Sequence, residues 1–266
     1  MNKTRSWWIY ILIFIISQLT AVGATMGTAL VFDREAVSNM NTVVGALFLA
    51  NVLGILLWLL LRPKDVTWQR TLNGVRGAIG RRTKLVFGLA LSIIILVNIF
   101  QEAFFPDIPD LVGEEAIKAI MYSPFGLIAV ALIGPICEEL LFRGGVQHDI
   151  QQRFASQGPV VAIGFSAILF SLIHMNPAQM PAAFILGIVL GFAYWWTGSL
   201  IAPVAIHVFN NSFACIAGLL SPEDDSFIHF IGGTQGAVIT AAAATLWLVL
   251  MLYLIRAEMK KSAENS

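Results

Sequence analysis

The chain has 266 residues, of which 58% are hydrophobic and only 12% charged, and its formal net charge is zero. A soluble domain carries about twice that charged fraction, and no polar segment exceeds roughly 25 residues, which leaves no room for a soluble domain beside the apolar runs. Neutrality removes the electrostatic case for a nucleic-acid partner, and two cysteines, Cys137 and Cys215, both inside apolar runs, make no disulfide framework.

In chain order, apolar runs of about the length that spans a bilayer core lie near residues 7–31, 41–61, 84–105, 124–144, 158–176, 178–196, 199–220 and 234–255. The expected fold is an all-α, polytopic transmembrane bundle of about eight spans enclosing a polar cavity. We treat it as a single integral-membrane domain over 1–266. Residues 1–122 serve as scaffold, 123–220 as a core that carries the ionisable groups, and 221–266 as a last loop, span and tail. The N-terminus imitates a signal peptide, with Lys3, Arg5 and then Trp7 onward, but its apolar run is too long for an ordinary signal core and reads as an uncleaved first span.

Basic residues fall at the N-terminus (Lys3, Arg5), in the second connection (Arg62, Lys64, Arg70, Arg76, Arg81, Arg82, Lys84), after the fourth span (Arg143, Arg153) and at the C-terminus (Arg256, Lys260, Lys261). The alternate connections are acidic or mixed, around Asp33–Glu35, Asp107–Glu115 and Glu223–Asp225. Eight spans with both termini cytoplasmic satisfy the positive-inside rule throughout. Trp7, Trp8, Trp58, Trp195 and Trp196 sit near span ends, where interfacial anchoring is expected. The stretch Asp110–Tyr122 reads as an amphipathic turn or helix on the outer interface, and Glu258–Ser266 as a disordered tail.

Ionisable residues inside spans are costly, at roughly 2.5 to 3.5 kcal/mol each on insertion scales, so they are paired or used. Three groups stand out: Glu138, Glu139 and Arg143 in the fourth span; His174 in the fifth; and His207, Asn210 and Asn211 in the seventh. Glu139 and Arg143 are four apart and can meet on one helical face, in the favourable acid-before-base order. Glu138 is turned about 100° away and is left to face a cavity. His207 and Asn211, also four apart, share a face, with Asn210 close to it. The bland alternatives are that the carboxylates anchor a helix end by snorkelling and that the histidines join helices by hydrogen bonds. His148 and His229 read as ordinary surface histidines.

Depth lets the groups converge. At 1.5 Å per residue, His207 lies roughly 12 Å and Glu138 roughly 10 Å from the cytoplasmic side. His174 would lie about 24 Å deep from a span start at Gly158. A fourth helix that continues past Gly145 to a turn around Ala155–Gly158 removes the mismatch, with Gln147–Arg153 pushed out as a cytoplasmic extension.

Glu138-Glu139-x-x-x-Arg143, Phe170-x-x-x-His174 and His207-x-x-x-Asn211, in that order, resemble the CPBP family of CAAX proteases and bacteriocin-processing enzymes (the Abi family), which includes the type II CAAX prenyl endopeptidases. The motifs cover roughly residues 123–220. The resemblance implies an intramembrane endopeptidase acting on a peptide or protein that can itself be membrane-associated or lipidated, and the compact chain without organelle-targeting features points to a bacterial cell membrane. It implies that Glu138, helped by His174, activates a water, that His207 and Asn211 stabilise the oxyanion, and that Glu139, Arg143, Asn210 and Phe170 support them. No cofactor is then required. A zinc version would draw on Glu138, His174 and His207 and leave the fourth place to water, although the His-Glu-x-x-His spacing of zincins is absent. Two other functions use the same residues: a non-catalytic membrane immunity or interaction protein, and a proton-coupled transporter with Glu138 and the histidines as relay.

Overall fold

A computed structural model describes residues 6–31, 40–66, 77–109, 111, 120–220 and 226–264. Asp33–Glu35, Arg70, Arg76, Glu223–Asp225 and most of the stretch Asp110–Tyr122 lie outside them. All described regular structure is helical. The helices are α1 (Trp7–Val31), α2 (Met40–Leu61) and α3 (Gly77–Phe104), then a continuous fourth run built from α4 (Pro124–Ile128), a π segment (Ala129–Ile133), α5 (Gly134–Leu141), a second π segment (Phe142–Gln147) and α6 (His148–Arg153). A 3-10 turn (Ala155–Gln157) leads to α7 (Pro159–Leu172), α8 (Met180–Thr197), α9 (Ile201–Leu220), the short α10 (Phe227–Phe230) and α11 (Gly233–Glu264).

Among the described residues, seven helices are long and apolar enough to cross a membrane. The expected fifth span is a shorter apolar helix, α7, of 14 residues. It ends at Leu172 because Met175 takes a left-handed φ of 49° and Asn176 precedes Pro177, a position that disfavours helix. Large apolar side chains such as Leu19, Leu60, Val160 and Leu246 are exposed. In water they would form sticky patches, whereas helices in lipid satisfy their own backbone and can present such a surface. The chain is an integral membrane protein.

By packing, the chain divides into two compact units with interleaved segments: Met1–Thr67, Leu111–Ser166 and His207–Ile216 in the first, and Trp68–Asp110, Ala167–Ile206 and Ala217–Ser266 in the second.

In the first unit α1 packs along α2, and both meet the fourth helical run. Ala21, Ala46 and Ala50 form a small-residue seam, which lets helix backbones approach closely in lipid. Tyr10 is fully buried and lies over Gly145, where an added Cβ would stand 2.4 Å from the ring Cγ. The fourth helix continues past Gly145 to Arg153, and the chain turns over Phe154–Gly158. The segment Gln147–Arg153 forms the expected helix extension, but part of it is more buried than its polarity suggests. Gln147 and Asp149 are fully buried. Asp149 accepts the Trp7 backbone N–H at 2.8 Å and Arg153 Nε at 2.6 Å. Nor is His148 a bare surface residue: its Nε2 lies 2.9 Å from Asp65 Oδ2, which also accepts Gln152 Nε2 at 2.7 Å. Trp58 is buried to 1% exposure, so its ring packs against protein.

In the second unit α3 pairs with α11 and α8 around Val86, Leu89, Leu190, Trp196, Ile206 and Met251. Trp196 too is buried, with the Arg82 guanidinium 5.6 Å above its ring. The segment Glu258–Glu264, expected as disordered tail, continues α11. It is held by Arg81 Nη1 to Glu258 Oε2 at 3.1 Å and by Arg82 Nη2 to Ser262 Oγ at 2.8 Å. His229 is exposed, as expected, and sits in the short α10.

Candidate active site

Glu138 and Glu139 lie on α5, between the two π segments of the fourth helical run. Widened turns of this kind occur often at functional sites, and this one has a local cause. The Gly134 N–H reaches back five residues to Ala129 O. An ordinary α turn would have bonded it to Val130 O. The next residue, Pro135, has no N–H to offer. Val130 O is therefore claimed by neither of the two residues that could take it within the helix. It accepts Asn211 Nδ2 at 3.0 Å instead.

The two carboxylates have different surroundings. The Glu139 and Arg143 side chains are both 0% exposed and meet at 2.8 Å, Oε1 to Nη1. The same Glu139 Oε1 lies 2.9 Å from His207 Nδ1. Glu139 Oε2 is buried and has no hydrogen-bond partner among the described residues. Glu138 retains 21% side-chain exposure, with Oε2 3.9 Å from His207 Nε2. That separation is beyond a direct hydrogen bond and is one that a single water or substrate oxygen can bridge. A carboxylate accepts only, so His207 Nδ1 carries the proton in its contact with Glu139. The ring is thereby oriented, with Nε2 turned toward Glu138. On α9, Asn210 Nδ2 donates to Asn211 Oδ1 at 3.1 Å. Glu138, Glu139, Arg143, His207, Asn210 and Asn211 thus belong to one cluster in the first unit.

Residues 120–213 match the family model described as type II CAAX prenyl endopeptidase Rce1-like. This stretch matches an Rce1-like CAAX protease domain. All eight residues singled out from the sequence fall inside it. The chain is also similar to the membrane-embedded CAAX protease MroQ of Staphylococcus aureus (strain USA300), 32% identical over 113 residues, which cover 41% of this chain and 46% of MroQ. It is 23% identical to the putative membrane peptidase YdiL of Bacillus subtilis (strain 168) over 232 residues, 81% of this chain and 90% of YdiL. The chain thus spans less than half the length of MroQ. No solved structure matches it significantly.

His174 and Phe170 belong to the second unit. His174 lies just beyond α7, with Nδ1 2.8 Å from Phe170 O and its ring edge-on to the Phe170 ring at 5.0 Å. This fixes the ring, with Nε2 as the nitrogen left for chemistry. Cys137 and Cys215 are buried thiols, as small apolar residues would be. Among the described residues no group of three or more His, Cys, Asp or Glu side chains is arranged to hold a metal ion. Of the three ligands that a zinc version would use, Glu138 and His207 lie in the first unit and His174 in the second, and no step below runs through a metal.

Sequence spacing missed two features. One is the Glu139–His207 contact, which joins residues 68 apart in the chain. The other is the Val130 carbonyl, for which Gly134-Pro135 inside an apolar helix was the available signal.

Proposed function

We propose that the chain is an intramembrane endopeptidase in which Glu138 activates a water for attack on a peptide carbonyl, while His207 and Asn211 stabilise the oxyanion. What supports this most is the Glu138 Oε2 to His207 Nε2 distance of 3.9 Å, with the imidazole held from behind by Glu139 at 2.9 Å. Glu138 takes a proton from water as the water oxygen bonds to the carbonyl carbon. The oxyanion then collapses, the C–N bond breaks, and the proton passes from Glu138 to the leaving amine. Nε2 of His207 donates to the oxyanion when the ring carries both protons, with the Glu139 carboxylate beside Nδ1 to offset the charge. One Asn211 Nδ2 hydrogen is bound to Val130 O, and an amide nitrogen has a second to give. Through the family resemblance, His174 shares in activating the water. The same resemblance supports a glutamate-dependent mechanism and a membrane-associated or lipidated peptide substrate, while the charge pattern of the connections supports cytoplasmic termini and the compact chain without organelle-targeting features a bacterial cell membrane.

The test is hydrolysis of a prenylated peptide ending in Cys-a-a-X by the protein in liposomes, with and without a metal chelator. His207→Ala and Asn211→Ala should each lower turnover about 100-fold, as loss of an oxyanion donor does, and chelation should leave it unchanged. Turnover lost on chelation and restored by zinc would replace the glutamate mechanism with a metal one. Full turnover in both variants would remove the oxyanion assignment.

A further inference from the structure

Asn211 is held at both ends of its side-chain amide. A carbonyl can only accept, so the atom facing Val130 O at 3.0 Å is the nitrogen, and Oδ1 faces the other way. There Oδ1 accepts the Asn210 Nδ2 hydrogen at 3.1 Å. These two contacts leave no ambiguity of amide orientation and account for Oδ1 and for one of the two nitrogen hydrogens. The other hydrogen remains, fixed in direction without cost at the moment of reaction, which is the property that makes a donor effective toward a developing charge.

Neither contact is incidental to the fold. Val130 O reaches Asn211 only because the helix fails to use it. Gly134 bonds to Ala129 O, five residues back, and a Cβ at Gly134 would sit 2.9 Å from that same oxygen. Pro135 supplies no N–H to recapture the carbonyl. A proline and a glycine in the middle of a spanning helix both weaken it, and the dipeptide sits one turn before Glu138.

We propose that Gly134-Pro135 and Asn210 form a clamp that fixes the Asn211 amide, with Asn210 and Pro135 as positioning residues for the oxyanion donor. This rests on the reading above that Asn211 is that donor, and the two can fail separately. In the liposome assay, Asn210→Ala and the isosteric Asn210→Asp, which lacks the N–H, should each reduce kcat about tenfold with KM little changed. In an Asn211→Ala background, Asn210→Ala should have no further effect, because nothing is left to position. Pro135→Ala restores a backbone N–H and a good helix former, so it should maintain or raise thermal stability in detergent while it lowers kcat. If Asn211→Ala reduces turnover but Asn210→Asp does not, or if the losses at 210 and 211 multiply in the double variant, the clamp is overturned and Asn210 merely fills space. If Asn211→Ala itself has no effect, the oxyanion assignment falls, and the clamp as a device for the reaction falls with it.

A measurement independent of substrate is the side-chain amide spectrum of protein labelled with 15N-asparagine. The Asn211 pair of signals, identified by its loss in Asn211→Ala, should be widely split and slow to exchange one hydrogen. The splitting should collapse in Asn210→Asp and in Pro135→Ala. An Asn211 signal unchanged in both variants would contradict the clamp whatever the activity.

Discussion

Glu139 Oε1 lies 2.9 Å from His207 Nδ1 and 2.8 Å from Arg143 Nη1, so one buried oxygen joins an arginine of its own helix to a histidine 68 residues away. Glu139→Gln keeps the side-chain shape, and its amide oxygen can still accept from both donors, but it removes the charge. Activity in this variant should fall by about 10- to 100-fold, the usual effect of losing a group that orients a ligating or catalytic histidine. Comparing turnover with Glu139→Asp, which retains the charge, checks this. Asp should restore part of the loss, and equal activity of the Gln variant and wild type would remove the orienting role.

Arg143 is fully buried beside Glu139. Breaking a buried pair from one side leaves an uncompensated charge, so Arg143→Leu should cost about 3 to 5 kcal/mol of stability. Arg143→Leu combined with Glu139→Gln should cost less than Arg143→Leu alone. Reversible unfolding in mixed micelles measures both, and additive losses would mean that the pair is not coupled.

How much of this was legible differs residue by residue. The i,i+4 spacing of Glu139 and Arg143 placed that pair without further help, and the apolar run lengths placed the long helices to within a few residues at most of their ends. The ends themselves misled where polar contacts carry a helix past its apolar part. Glu258–Glu264 is polar in sequence yet helical because Arg81 and Arg82 of α3 meet Glu258 and Ser262. Asp149 belongs to the polar segment Gln147–Arg153, yet the Trp7 N–H and Arg153 allow it to be buried. The Glu139–His207 contact has no local spacing to announce it. Val130 contributes only its carbonyl, and side-chain pattern carries no record of which carbonyl a proline sets free.

Gly145 admits no side chain without moving Tyr10, whose ring carbon would stand 2.4 Å from a new Cβ. Tyr10 is itself fully buried, so the ring has no open space to retreat into. Gly145→Ala should destabilise the protein by about 1 to 3 kcal/mol, the ordinary cost of overpacking, and Gly145→Val by more. Melting in detergent tests this, and an unchanged midpoint in Gly145→Ala would show that α1 yields freely.

Asp65 lies outside the spans. Burial alone would raise its pKa, but the His148 charge and the hydrogen bonds around the carboxylate, from His148 and Gln152 among others, hold it below the usual value. A carboxyl lowered on folding stabilises the native state above its unfolded pKa, and that contribution is lost as pH falls through the lowered folded value. Because the side chain is 46% exposed, the contribution should be less than about 1 kcal/mol. Wild type should therefore exceed Asp65→Asn in stability near pH 6 and converge with it toward pH 3. A gap that widened on acidification would contradict the assignment.

The central claim is that Glu138 is the group that takes the proton from water. The most direct test compares membrane-associated peptides from cells that carry the wild-type chain with those from cells that carry Glu138→Gln at equal abundance in the membrane. Loss of a general base should reduce specific cleavage products by about 10²- to 10⁴-fold, with the uncut precursors accumulating in their place. An identical set of peptides from the two strains, with any biological effect of the chain intact, would contradict the peptidase account and leave a membrane protein that acts by binding.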